Sequence, residues 1–264
     1  MSTLAQACLS VLQTAPARDK AAQARRVAEQ WRLGQLTRAA FDGAWPDRPA
    51  RPEKPQLLAP RDMPRRKISG ENGRKAQLHA LAHIELNAID LAFDIVGRFA
   101  DNVEPAMPDA FVDDWMRVGA DEARHFLMLD ERLGDMGMAY GDLPAHDGLW
   151  SAAYDTRHDL LARLAIVPLV LEARGLDVTP TMMDKFTAAG DTKSAKMLSI
   201  IYEDEKTHVG AGANWFAHLC AAEGRDMEAC FKAMLARYFG GQLKPPFNVA
   251  ARTEAGLPQA FYDK

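Results

Sequence analysis

The sequence predicts an all-α protein built around a four-helix bundle in which one long connection joins two of the helices. Apolar residues recur at helical spacing in four segments of about 25–30 residues, and no segment shows the period-two alternation of a β-strand. The connection at residues 134–147 is long enough to run the length of such a helix, whereas the other two connections suit antiparallel neighbours.

Breakers and capping residues set the bounds of the four bundle helices. Pro105 interrupts the chain after the first helix, Gly175 is expected to close the third, and Asp191 is a suitable N-cap for the fourth. A short extra helix is expected after Thr179-Pro180. The predicted bundle helices span about residues 74–100, 109–134, 148–175 and 192–224.

An N-terminal region precedes the bundle. Residues 2–14 and 17–40 are predicted helices, and the proline-rich segment that follows is expected to wrap over the surface, since proline interrupts helices and central strands. The sequence therefore divides into a helical arm with its wrapping segment at 1–70, the bundle at 71–225, and a C-terminal helix with an irregular tail at 226–264.

Composition excludes several classes of protein. No stretch is apolar enough to span a membrane, and the N-terminus lacks the basic region of a signal peptide. The three cysteines form neither a C-x-x-C pair nor a zinc spacing, and we expect them to be free thiols in a cytoplasmic protein.

The charge is unevenly distributed along the chain. Residues 1–75 hold 15 Lys and Arg against 7 Asp and Glu, a net +8, so the remainder carries −12 of the total of −4. Such an arm could bind nucleic acid or an acidic partner. The interpretation we favour is that the arm lies on the acidic body of the same chain.

One motif occurs twice, each time inside a helix that otherwise reads as buried. Glu122 and His125 in D-E-A-R-H, and Glu205 and His208 in D-E-K-T-H, are three residues apart and therefore share a helix face. A single such pair is usually a solvated surface pair. Here the same faces carry large apolar residues, and buried carboxylates are costly unless they are paired or bind a metal.

The other two bundle helices each carry one glutamate, Glu85 or Glu172, on an apolar face. One Glu from each of two helices and E-x-x-H from the other two is the ligand set of di-iron and di-manganese carboxylate bundles. Four carboxylates and two neutral imidazoles would balance two divalent ions, and oxygen-rich ligation favours iron or manganese over structural zinc. We expect Glu122 and Glu205 to bridge two ions, with the other ligands terminal.

Three further residues are candidates for supporting the ligands. Asp121 and Asp204 precede the motif glutamates, where a carboxylate can accept the second N–H of a ligating histidine. Tyr202 lies one turn before Glu205 and is either a core aromatic or a hydrogen-bond donor near the metals. His79 and His83 are interpreted as packing histidines, because His83 lies about 200° around the helix from Glu85.

These residues resemble the ferritin-like di-iron carboxylate superfamily, which includes rubrerythrins and a tRNA-modifying hydroxylase. The fuller pattern, with H-A-L-A-H-I-E-L-N-A-I-D-L-A, D-E-A-R-H-F, L-P-A-H-D-G-L-W and E-A-R-G-L-D-V-T-P, is similar to an uncharacterised bacterial ferritin-like family. The resemblance covers about residues 70–225. It implies that each motif aspartate bonds the histidine of the partner motif. No C-x-x-C rubredoxin-like module is present in the sequence.

The resemblance implies a protein that holds two iron ions, or manganese in their place. We expect an oxidoreductase that uses O₂ or peroxide to oxidise or hydroxylate a small molecule or a tRNA, with an external electron donor. The alternatives are a ferroxidase or peroxide-scavenging protein, and a non-catalytic module stabilised by metal. A homodimer is the assembly considered for the chain.

Overall fold

A computed structural model describes residues 2–64 and 70–263, so residues 65–69 of the predicted wrapping segment lie outside the described residues. The all-α prediction is confirmed: the described residues form helices and two isolated β-bridges but no β-strand. The helices are α1 (Leu4–Leu12), α2 (Ala17–Arg32), α3 (Gly70–Phe99), α4 (Asp109–Asp135), α5 (Gly148–Asp155), α6 (Leu160–Ile166), α7 (Ala173–Ala188), α8 (Thr192–Ala222), α9 (Met227–Met234) and α10 (Val249–Glu254).

The chain divides into two compact units, residues 1–151 and 152–264. This boundary falls inside the predicted bundle, between its two helical hairpins. The three-part division drawn from the sequence stays a prediction. No helix among the described residues has the length and apolarity needed to cross a membrane.

The first unit is organised around the antiparallel hairpin of α3 and α4. Pro105 and Pro108 interrupt the chain between them, and the Met107 amide donates to the Ala100 carbonyl to close the turn. The ring of Phe93 lies where a side chain at Gly119 would stand, so the two helices approach closely at this level. Because α3 is buried along most of its length, its polar residues must find partners inside the protein.

Helices α1 and α2 pack on this hairpin. Helix α2 is shorter than predicted, ending at Arg32 instead of near residue 40. The reason is Gly34, whose φ of +67° turns the chain while its amide donates to the Trp31 carbonyl. The residues that follow run as an extended segment along α3 and the turn after it, with hydrogen bonds from Arg38 to the Ala100 carbonyl and from Arg51 to Asn87.

Ion pairs hold the basic arm on the acidic hairpin. Asp90 of α3 is completely buried and pairs with Lys20 of α2 and with Arg51 of the wrapping segment. Arg38 donates to Asp101 at 2.8 Å and to Asp109 at 2.7 Å. The interpretation that the arm lies on the acidic body is therefore confirmed within the first unit.

The second unit contains the hairpin of α6, α7 and α8, and it differs from the prediction. Asp159 caps a helix that begins at Leu160, so the third bundle helix starts about twelve residues later than expected. It then runs through Gly175 and Pro180 to Ala188, passing a π-helical segment at Val167–Glu172. Packing along α8 outweighs the tendency of Gly175 to end the helix. Pro168, which has no N–H to donate, lies in the π-helical segment.

The C-terminal residues fold back onto the second unit. Helix α9 continues as a π-helical segment, Leu235–Phe239, and the two together form a C-terminal helix that precedes an irregular tail, as the sequence predicts. Arg252 of α10 forms a buried bidentate pair with Asp177 of α7, with both N–O distances 2.8 Å. The tail is therefore anchored, although most of it is irregular.

We expect Asp90→Ala to lower the free energy of unfolding by about 3–5 kcal/mol, because it leaves the buried Lys20 ammonium and the Arg51 guanidinium without their shared carboxylate. Chemical denaturation followed by circular dichroism measures the change. Glu29→Ala is the control, since the Glu29–Arg32 pair is exposed and its loss leaves the unfolding midpoint nearly unchanged. An equal effect of both substitutions contradicts the assignment.

Candidate metal centre

Three candidate ligands converge inside the first unit. Glu85 lies in the middle of α3, and Glu122 and His125 occupy one face of α4, a turn apart. The antiparallel hairpin brings that face of α4 against the Glu85 side of α3. All three are buried, with at most 3% of each residue exposed.

The atoms of these three side chains are close enough to share one cation. His125 Nδ1 lies 3.3 Å from Glu85 Oε2 and 3.4 Å from Glu122 Oε2. One ligand atom from each residue falls within 4.8 Å of the others. Ligands that lie roughly 2.1 Å from a metal ion are themselves separated by roughly 3–4 Å, so only small side-chain adjustments are needed.

The electrostatics of this cluster favour a bound cation. Burial and the neighbouring Glu122 carboxylate raise the pKa of Glu85 well above its usual range. Burial by itself lowers the pKa of His125, but its hydrogen bonds to Glu122 and Glu85 and their charges raise it to about 11. The cluster therefore attracts protons at neutral pH, which is the behaviour of a site where positive charge must offset buried carboxylates.

The donor set fits a divalent metal. Two carboxylates and an imidazole are ligands for iron, manganese or zinc, and nothing in the set resembles the cysteine-rich sites of structural zinc. Both glutamates are placed by rigid helices instead of loops, which holds them at short separation despite their mutual repulsion. A metal ion would replace the protons that otherwise hold these groups together.

The second unit carries a similar pair. His208 of α8 is completely buried, and its Nδ1 atom lies 3.7 Å from Glu205 Oε1 one turn earlier. The Glu205 side chain retains 13% exposure. In both motifs it is thus Nδ1 of the histidine that faces the glutamate three residues before it.

The remaining predicted ligand, Glu172, is the last residue of the π-helical segment. A side chain added at Gly212 of α8 would meet Pro168, which shows that these two positions face each other. Glu172 follows Pro168 by four residues and His208 precedes Gly212 by four. Because the hairpin is antiparallel, Glu172 and His208 lie at the same level, as Glu85 and His125 do in the first unit.

The predicted supporting residues each make at least one described hydrogen bond. Asp121 accepts a hydrogen bond from Arg124 at 3.0 Å, and the Asp204 carbonyl accepts one from the Thr207 hydroxyl. The Tyr202 hydroxyl accepts from the Asn248 side chain at 3.0 Å, which ties it to the C-terminal segment. A role for these residues toward the ligand histidines stays a prediction.

The histidines on the opposite side of α3 anchor the long connection. His79 Nε2 accepts from the Gly141 amide at 2.9 Å, and His83 Nδ1 lies 2.8 Å from the Tyr140 hydroxyl. Burial and the nearby Arg51 charge lower the pKa of His83 to about 4, so it stays neutral.

Sequence reasoning missed Tyr140 and the buried cluster around Asp90, although an aspartate within an apolar helix was a visible signal.

Comparisons with known proteins show the family of the chain. Residues 13–263 match the model of a family described as "Protein of unknown function (DUF455)". The chain is 44% identical over 214 residues to an uncharacterized protein of Haemophilus influenzae, and the match covers 80% of this chain and 74% of the relative. No solved structure matches the chain.

We expect the metal-free protein to lose stability as the pH rises from about 7 to about 9. The pKa of His125 is raised above 6.5 in the folded state, so its contribution is complete below that value and declines as the pH approaches 11. The raised pKa of Glu85 has the same sign. Melting temperatures measured across this range test the expectation, and saturating Mn²⁺ should flatten the curve. A metal-free melting temperature that rises with pH contradicts it.

Proposed function

We propose, for a chain that belongs to the DUF455 family of proteins of unknown function, that it is a dinuclear metal protein of the ferritin-like kind. The observation that carries the proposal is the buried cluster of Glu85, Glu122 and His125 on two facing helices. We take this cluster as one half of the site and Glu172, Glu205 and His208 as the other. Each half then offers two carboxylates and one imidazole.

The repeated design of the two hairpins supports this pairing. In each, a long helix supplies one glutamate and the following antiparallel helix supplies E-x-x-H, and in each the histidine turns Nδ1 to its glutamate. Neither half alone offers enough ligands to complete the coordination of two metal ions. A pair of halves gives four carboxylates and two imidazoles, whose charge two divalent ions would cancel.

Under this proposal each residue has a defined role. Glu122 and Glu205 would hold both ions, and Glu85 and Glu172 would each hold one. His125 and His208 would each bind one ion, and their Nδ1 atoms already face the motif glutamates. Asp121 and Asp204 would then accept the second N–H of the ligand histidines and hold each ring in the ligating orientation.

Iron is the metal that this donor set favours for catalysis, with manganese as the alternative. When bound, two ferrous ions would supply the activation of O₂ or peroxide for oxidation or hydroxylation of the substrate. The side chains would hold the ions in a buried site, exclude water from it and balance its charge. Reducing equivalents come from an external donor, since the sequence contains no C-x-x-C module for an internal one.

We propose a small organic molecule as the substrate in preference to a tRNA. The basic arm was the reason to consider a nucleic-acid substrate. Three of its cations, Lys20, Arg38 and Arg51, form ion pairs with aspartates of the same unit. Because aspartates already neutralise these charges, they add little to the attraction of the phosphates of a nucleic acid. The proposal also includes a cytoplasmic setting, which suits a chain with three free cysteines, and a homodimeric assembly.

We expect anaerobically purified protein to bind close to two iron ions per chain, and Glu122→Ala or His208→Ala to abolish most of that binding without loss of helix. Elemental analysis and circular dichroism measure the two outcomes. Glu131→Ala on α4 and His218→Ala on α8 are matched controls, since they remove the same residue types elsewhere on the same helices. Retention of both ions by His208→Ala would remove the second half from the site.

We expect O₂ added to the ferrous protein to oxidise the bound iron without the uptake of further iron. This outcome separates an oxidoreductase centre from a ferroxidase that feeds mineral storage, because storage continues until hundreds of ions are held per assembly. Optical spectra and iron counts after repeated additions of Fe²⁺ and O₂ distinguish the two. Continued uptake would favour the iron-handling alternative.

A further inference from the structure

Two of the three cysteines lie on the two helices that flank the turn between α8 and α9. Cys220 lies in the last turn of α8, and Cys230 lies in the first half of α9. Four residues connect the helices, and Gly224, with φ of +63°, reverses the chain. The Arg225 amide donates to the Cys220 carbonyl at 2.8 Å, so the turn is closed by a hydrogen bond from the residue before the α9 cap.

Aromatic packing fixes the two helices face to face at this point. Phe216 lies one turn before Cys220 on the same side of α8, and Phe231 follows Cys230 on α9. Their rings make an edge-to-face contact with centroids 6.2 Å apart. Phe231 also stacks on Phe261 at 4.1 Å, and Phe261 contacts Phe216 at 6.0 Å, so the three rings form one cluster. The thiols therefore sit across a short, well-packed turn.

The two thiols differ in access to solvent. Cys220 is buried, with 2% of its surface exposed, whereas Cys230 is only half-buried. Burial and the neighbouring Cys230 thiol raise the pKa of Cys220 to about 12. Cys220 thus keeps its proton, and Cys230 is the thiol that a small oxidant in solution reaches first.

We propose that Cys220 and Cys230 form a dithiol that hydrogen peroxide oxidises to an intramolecular disulfide. In the first step the Cys230 thiolate attacks one peroxide oxygen, an S–O bond forms, the O–O bond breaks, and the departing hydroxide is protonated to water. In the second step Cys220 sulfur attacks Cys230 sulfur, the S–O bond breaks, and the leaving hydroxide takes the Cys220 proton. Two thiols are oxidised and one peroxide is reduced to two waters.

This site is separate from the proposed metal centre and does not rest on it. Both cysteines belong to the α8–α9 turn, twelve or more residues beyond His208 in the sequence. The disulfide would link α9 covalently to α8, so exposure to peroxide would change the covalent structure of the second unit. Cys8 belongs to α1, in the first unit, and is a fully buried free thiol, so it serves as an internal reference.

The test treats the full-length protein with hydrogen peroxide, alkylates the remaining thiols and maps the peptides without reduction. We expect a Cys220–Cys230 linked peptide, reversed by dithiothreitol, while Cys8 loses alkylation at least about tenfold more slowly. Oxidation of Cys230 to sulfinic acid with Cys220 still free would overturn the proposal. So would disulfides between chains in place of the internal one.

Two conservative variants assign the order of the steps. In Cys220→Ser, Cys230 should accumulate as a sulfenic acid that dimedone traps, because the second thiol is missing. In Cys230→Ser, Cys220 should resist peroxide to about the same degree as Cys8. Oxidation of Cys220 at the wild-type rate in Cys230→Ser contradicts the proposal, and circular dichroism confirms that both variants remain helical.

Discussion

Burial of like-charged carboxylates on facing helices is the constraint on which the rest of this structure depends. Glu85 and Glu122 are held against each other and against His125 by the hairpin of α3 and α4, with almost no access to water. Such a cluster destabilises a folded chain unless protons or a cation offset it. The long, regular helices provide the rigidity that keeps these groups together, and a bound metal ion would provide the charge that makes their proximity favourable.

Helix α3 serves two purposes on its two sides. One side presents Glu85 to α4, and the other presents Asp90 and His83 to the arm and the long connection. Lys20 and Arg51 neutralise Asp90, and the neutral His83 bonds Tyr140. The N-terminal region is therefore a structural part of the first unit, because it brings the cations that the outer side of α3 needs.

The second unit also has an antiparallel hairpin with a glutamate on one helix and E-x-x-H on the next, but its first helix contains a π-helical segment. Pro168 lies in a π-helical segment that ends at Glu172, and the small Gly212 on α8 leaves room for the proline ring. A π-helical turn changes the direction in which the following side chain leaves the helix, and such turns are frequent at functional sites. The Asp177–Arg252 pair then fastens the C-terminal segment beside this hairpin, where Asn248 reaches Tyr202.

The sequence by itself determined the helical class, the positions of α4 and α8, and the E-x-x-H pairs, because these depend on periodicity and spacing along one helix. It also indicated that Glu85 belongs with Glu122 and His125, since a buried glutamate in an apolar stripe needs a partner. Only the tertiary structure decided where α2 ends, that Gly175 and Pro180 lie within a helix, and that Asp90 joins Lys20 to Arg51. Those features depend on contacts between segments distant in sequence, where packing and ion pairing outweigh local preference.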